Sequence, residues 1–306
     1  MQAKLSEPII SARGLIKCFG PVRAVDCIDF EVYPGECFGM LGPNGAGKTS
    51  TMRMLYDFSP RTAGELSVFG LDPAGRDSVR VRQSIGVVPQ ADNLDLELTV
   101  RENLEVYGGY YGLHGRKLRE RVERLLELMS LSDKARARIK QLSGGMKRRL
   151  TIVRALIGDP RLVVLDEPTT GLDPHARHQI WDLLRELTGS GVTIVLTTHY
   201  MDEAQRLCDR LVIMDQGKIL CQGAPDELIH RHLPRLVLET GLQNLADGWG
   251  EQGIRFEQRG DQVLFLADSE ADFRLLRFRD GGGRKIIRPA NLEDLFLGLT
   301  GRGLDE

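Results

Sequence analysis

The eight residues GPNGAGKT, Gly42 to Thr49, constrain this chain more than any other stretch. They follow the apolar run CFGML and precede STMRMLYDF, which reads as a helix. An apolar strand, a glycine loop and a helix in that order predict a site where backbone N–H groups surround a phosphate. Gly42, Gly45 and Gly47, with Pro43, Asn44 and Ala46 between them, let successive amides turn inward, and the helix adds its positive end. Lys48 is expected to contact the β- and γ-phosphates and Thr49 to hold Mg2+, with Ser50 beside them among the nucleotide-binding residues.

A loop of this kind belongs to a parallel α/β sheet, and the rest of the pattern agrees. RLVVLDEP reads as a buried strand, ARHQIWDLLRELTGSG as a helix stopped by glycines, and VTIVLTTH as another strand. MDEAQRLCD reads as a helix and RLVIMDQGKILCQG as a hairpin, so a sheet covered by helices is expected. Upstream, IISARGL and CIDFEV read as short strands closed by a turn at YPGE. Residues 92–160 are helical in pattern, and GRKLRERVERLLELM sets Leu118, Val122, Leu125, Leu126 and Met129 on one face. The nucleotide-type pattern ends after about Pro225. RFEQRGDQVLFLA then suggests a hairpin, DGGGR a break, and NLEDLFLGLTG a closing helix capped by Asn291 and glycine. The expected division is a nucleotide-binding domain at 1–230, with the helical subdomain inside it, and a small α+β domain at 231–306.

The charge balance bears on partners. A net charge of -2 over 306 residues carries no basic excess to argue for nucleic acid. Five scattered cysteines, never spaced CxxC, argue against a disulfide framework or a zinc site. The N-terminal stretch MQAKLSEPIISARG does not read as a signal peptide, and no apolar run approaches the ~20 residues that cross a bilayer. If the protein works at a membrane, another chain supplies the span.

The strand LVVLDEP delivers Asp166 and Glu167 at its C-terminal end, where nucleotides sit on such sheets. Asp166 is expected in the Mg2+ shell and Glu167 against the attacking water. His199 closes VTIVLTTH and Gln90 ends the apolar run of IGVVPQ; on spacing alone each suits a structural strand end as well as a γ-phosphate contact. Ser143, Gly144 and Gly145 open the helix MKRRLTIVRALIG. They suit a plain N-cap or a second phosphate site; Lys147, Arg148 and Arg149 suit assistance at such a site, and better a solvated basic face.

In order, GPNGAGKT, Gln90, LSGGM, LVVLDEP, GLD at 171–173 and His199 resemble the signatures of the ATP-binding cassette family, over residues 9 to about 230. The resemblance implies a P-loop NTPase with a RecA-like parallel core, an antiparallel β subdomain and a helical subdomain. It implies that two such domains face head to tail as a homodimer. The phosphate loop of one and the LSGG turn of the other then clamp the same ATP. It makes Phe19 the aromatic stacked on adenine, Gln90 a Mg2+ ligand and sensor of a transmembrane partner, and Glu167 the general base. His199 becomes a γ-phosphate contact, and Asp173 a link across the dimer.

A narrower resemblance, carried by VVPQADNLDLELTVRENL, EPTTGLDPHARHQIWDLLREL and NLEDLFLGLTGRGL, is to ATPase subunits of ABC-2-type exporters, the nodulation-factor (lipo-oligosaccharide) and daunorubicin-resistance groups among them. It implies a separately encoded ABC-2-type permease and a peripheral position on the cytoplasmic face of the inner membrane. The rival class is a soluble ABC-type clamp on nucleic acid or ribosomes. Members of that class typically carry a long coiled-coil insertion, zinc cysteines or two cassettes in one chain, and none of these is present in this sequence. Tyr107, Tyr110 and Tyr111 suit either a docking surface or core packing.

Overall fold

A computed structural model describes residues 7–251, 253–279 and 283–301. Residues 280–282 of the DGGGR break, residues 302–306 of the tail and the first residues of the N-terminal stretch lie outside the described residues. The chain divides into two compact units, Met1–Gln222 and Gly223–Glu306.

In the first unit the elements run β1 (Ile10–Phe19), β2 (Val22–Val32), β3 (Cys37–Leu41), α1 (Lys48–Leu55), β4 (Ala63–Val68), α2 (Ser78–Gln83) and β5 (Ile85–Val88). They continue with α3 (Val100–Tyr110), α4 (Gly115–Leu128), α5 (Gly144–Leu156), β6 (Leu162–Asp166), α6 (Pro174–Gly189), β7 (Thr193–Thr198), α7 (Met201–Leu207), β8 (Arg210–Asp215) and β9 (Lys218–Gly223). A six-stranded sheet has the order β5-β6-β7-β3-β8-β9, and every pairing from β5 to β8 is parallel. A three-stranded antiparallel sheet, β2-β1-β4, is separate from it. The two sheets share one core. Ile10, Leu15 and Phe30 of the antiparallel sheet pack with Phe38, Met40 and Val195 of the parallel one, and Met52 and Leu55 of α1 lie in the same cluster. Phe30 stacks on Phe38 with ring centroids 5.8 Å apart. Burial on both faces explains why β3 and β6 read as unbroken apolar runs.

Helices α3, α4 and α5 fill the region where helical periodicity was expected. Val122, Leu125 and Leu126 of α4 are buried, as is Met129 just beyond it, while Leu118 is half-buried. Thr99 starts α3 with a capping box to Glu102. The solvated face expected for the start of α5 is corrected at one position: Arg148 is buried, at 4% exposure.

The second unit contains α8 (Pro225–His232), β10 (Leu236–Gly241), β11 (Arg255–Arg259), β12 (Gln262–Ala267), β13 (Lys285–Pro289) and α9 (Leu292–Thr300). Its antiparallel sheet has the order β11-β12-β10-β13 around Leu238, Val263, Phe265, Phe273 and Leu276. The units divide upstream of residue 230 because α8 packs against α9 rather than continuing the first unit. Asn291 caps α9 by accepting from Glu293 N and Asp294 N, and Gly301 at φ 71 closes it.

Candidate active site

β3 runs straight into the glycine loop, and the loop's neighbours explain its composition. A side chain at Gly42 would collide with the backbone oxygen of Met214 on β8. Gly47 sits at φ 99, and a Cβ there would strike the carbonyl of Ala24. Lys48, the first residue of α1, is buried and donates from Nζ to the carbonyls of Gly42 at 2.6 Å and Pro43 at 2.9 Å. Burial pushes its ammonium below the ordinary value, opposed by the charges of Glu167 and Asp166.

The second part of the site comes from β6 and β7. Asp166 and Thr197 are register partners at the strand ends. Thr197 Oγ1 donates to Asp166 Oδ1 at 2.6 Å, and Thr49 Oγ1 donates to the same oxygen at 2.9 Å. The phosphate loop is thereby tied to the carboxylate on the neighbouring strand. Glu167 follows at φ 47, in the left-handed region, with its amide donating to Thr197 Oγ1 at 3.0 Å. The turn aims its carboxylate, 8% exposed, between three other side chains. Gln90 Nε2 donates to Oε2 at 3.1 Å, Thr170 Oγ1 donates to Oε2 at 3.1 Å, and His199 Nδ1 lies 3.4 Å from Oε1. Gln90 and His199, ambiguous as sequence, therefore meet at one carboxylate.

A cleft of about 510 Å³ joins these parts, lined by Phe19, Val22, Arg23, Ala24, the loop from Asn44 to Ser50, Gln90, Glu167 and Gln216. Phe19 is 49% exposed at its mouth and so is not a core residue. Lys17 Nζ sits 4.7 Å from the centre of its ring and donates to Pro60 O at 2.6 Å. Thr49 and Asp166 present oxygen donors of the kind Mg2+ takes, and a single carboxylate suits an ion completed by substrate phosphates.

Ser143, Gly144 and Gly145 do not line this cleft. Ser143 caps α5, accepting from Met146 N at 3.3 Å. A Cβ at Gly145 would meet Ala176 Cβ at 2.9 Å, whereas Gly144 faces open space. Asp173 caps α6, accepting from Ala176 N at 2.9 Å. Of the tyrosines, Tyr110 is 78% exposed and so is not core, while Tyr107 carries Arg154 over its ring at 4.3 Å.

Thr197, Thr170 and Glu203 carried no reading from the sequence, and Arg148 read there as solvated although it is buried. The threonine pair ending TIVLTT was the available signal for Thr197. Glu203 on α7 is fully buried and accepts from Thr169 Oγ1 at 2.7 Å and Trp181 Nε1 at 3.0 Å. Burial pushes its carboxyl above the ordinary 4.5, against the pull of its hydrogen-bond donors. The folded chain therefore holds this proton more tightly than the unfolded chain. The associated stability is full below the unfolded value and is lost as pH rises through the folded one. Glu203→Gln should flatten that fall: urea midpoints of wild type and variant, compared from about pH 5 to pH 8, should move in the variant's favour as pH rises. Parallel pH profiles would contradict this.

The Nod factor export ATP-binding protein I of Rhizobium sp. (strain N33) is 49% identical over 306 residues, covering 99% of this chain and 100% of that one. The chain belongs to the ABC transporter family. The ABC transporter profile matches residues 25–170, which hold the phosphate loop, Gln90, Ser143–Gly145, Asp166 and Glu167. The profile of the nodulation factor export protein NodI C-terminal domain matches residues 243–301. A second ABC relative, the Nod factor export ATP-binding protein I of Cupriavidus metallidurans, is 46% identical over 96% of this chain and 98% of its own. Among solved ABC structures, cbiO1 of Clostridium perfringens, part of the ABC transporter complex cbiONQ, aligns with TM-score 0.69 and 27% identity over 74% of this chain and 92% of its own. A dimeric ATP-binding cassette in a post-hydrolysis state, bound to ADP and Pi, aligns with TM-score 0.64 and 26% identity over 70% of this chain and 98% of that one. The rival reading as a clamp on nucleic acid or ribosomes is not supported, since the full-length ABC relatives are export proteins.

Proposed function

We propose that this chain hydrolyses ATP to power an ABC exporter. It works as a head-to-tail homodimer docked on a separately encoded ABC-2-type permease, peripheral to the cytoplasmic face of the inner membrane. The observation that carries the reading is the Glu167 carboxylate, which accepts hydrogen bonds from Gln90 and Thr170 and lies 3.4 Å from His199 Nδ1, beside a phosphate loop. Glu167 takes a proton from the attacking water, and His199 and Gln90 keep its carboxylate oriented. Lys48 leaves the Gly42 and Pro43 carbonyls to meet the β- and γ-phosphates. Thr49 and Asp166, with Gln90 beside them, would hold Mg2+, which would supply positive charge against the phosphate oxygens. Phe19 offers its exposed ring to adenine. Ser143, Gly144 and Gly145 act on the ATP of the other copy, Gly144 giving a phosphate close approach to the backbone, and Asp173 joins the two sites.

Cargo is selected by the permease. The relatives' names specify Nod factor, and the same class, a lipo-oligosaccharide or similarly amphipathic molecule, is the reading carried to this chain. Described helices include none long and apolar enough to cross a membrane, which accords with a path formed by a partner chain. The test is to purify tagged Glu167→Gln protein from native membranes in mild detergent with ATP and identify what accompanies it. A polytopic membrane protein is expected. Soluble partners alone would leave the ATPase standing and remove the pump.

A further inference from the structure

Helix α5 carries a side chain whose bonding no role above explains. The Arg148 guanidinium directs all five of its N–H donors to backbone carbonyls of two other segments. Nε donates to Pro168 O at 2.7 Å. Nη1 donates to Pro89 O at 2.6 Å and Gln90 O at 3.3 Å, and Nη2 to Asp166 O at 3.0 Å and Glu167 O at 3.1 Å. These carbonyls bracket Gln90 on one side and Glu167 on the other. Two further side chains on the same face of α5 extend the contact: Thr151 Oγ1 donates to Asp92 O at 3.3 Å and Arg154 Nη1 to Asn93 O at 2.5 Å. Segment 89–93 is thus tied to α5 by three side chains, of which Arg148 also reaches the end of β6. Lysine, a point charge on a flexible stem, cannot reproduce a planar five-donor fork.

The N-terminal end of α5 is the Ser143–Gly145 turn, about one helical turn from Arg148. We propose that Arg148 is a positioning residue that gears this turn to the Gln90 and Glu167 of its own chain, so that ATP held by one copy sets the catalytic geometry of the next. The proposal rests on the head-to-tail reading given above. A shift of α5 on engaging the partner's phosphate is passed through a saturated guanidinium to the carbonyls on either side of Glu167. Displacements of that kind at a general base cost up to ~10²-fold in rate for about 1 Å.

Arg148→Lys tests it. Wild-type hydrolysis should rise sigmoidally with ATP, with a Hill coefficient between one and the two sites of the dimer. The variant should lose that cooperativity, its Hill coefficient falling to about one, and lose roughly tenfold in kcat while half-saturating ATP stays near the wild-type value. A drop in kcat with cooperativity unchanged would show a merely structural role and overturn the proposal, as would a variant with wild-type behaviour. If wild type shows neither cooperativity nor ATP-dependent dimers, the head-to-tail reading falls and takes this one with it. Should Arg148→Lys fail to fold, hydrogen exchange on mixed dimers decides. Heavy-nitrogen-labelled Lys48→Ala chain is combined with Glu167→Gln chain at ATP levels that fill only the latter's site. Residues 89–93 of the labelled chain, whose own site is empty, should gain protection. Unchanged exchange there overturns the coupling.

Discussion

Glu167→Gln protein is expected to bind ATP like wild type and to turn it over ~10²–10⁴-fold more slowly. Glutamine fills the same volume, so the φ 47 turn and the amide bond to Thr197 are retained. What it lacks is a group that accepts a proton from water. Because hydrolysis separates the two copies in this reading, blocking it should also leave ATP-bound dimers standing. Phosphate release measures the first effect and light scattering with ATP the second. A normal rate would remove Glu167 from the role of general base. A slow enzyme that stays monomeric would leave the base in place and sink the clamp.

The complementary substitution attacks binding rather than chemistry. Lys48→Ala removes a buried ammonium that spans the Gly42 and Pro43 carbonyls. A hydrogen bond to a charged partner is worth about 1.5–3 kcal/mol, which corresponds to a loss of ~10–140-fold in ATP affinity. Titration calorimetry reads this directly. The rise in Tm that ATP gives wild type should shrink in parallel, since ligand stabilisation depends on concentration relative to Kd. Unaltered affinity would mean that the lysine serves the loop and not the nucleotide. The two variants thus separate the halves of the reading, one binding without turnover and the other failing to bind.

Much of this site was legible because its chemistry is local in sequence. The glycine loop is contiguous, and LVVLDEP states both burial and its two carboxylates in one run. The alternation of strands and helices placed them on one sheet edge, where Asp166 does meet Thr49. Gln90 and His199 stayed ambiguous because their meaning lies in a shared neighbour; Glu167 is distant from both along the chain. Arg148 was misread for a different reason. Helical periodicity marks charged residues as solvent-facing, and it cannot see a cavity lined by carbonyls from two other segments. Glu203 escaped in the same way, as one acid in a short amphipathic helix, because its partners Thr169 and Trp181 are assembled only by the fold. The unit boundary at Gln222 likewise depends on α8 packing with α9, a tertiary contact with no local signature.

The left-handed backbone at Glu167 sets this chain against its own durability. Side chains other than glycine, asparagine and aspartate rarely occupy that region, and holding one there costs on the order of 1–3 kcal/mol. The carboxylate is aimed by the same turn that stores the strain. A campaign that selected only for heat resistance would drift toward glycine at position 167, relaxing the turn and deleting the base. The hardiest version of this sequence would be an inert one, and thermostabilisation has to proceed with position 167 locked.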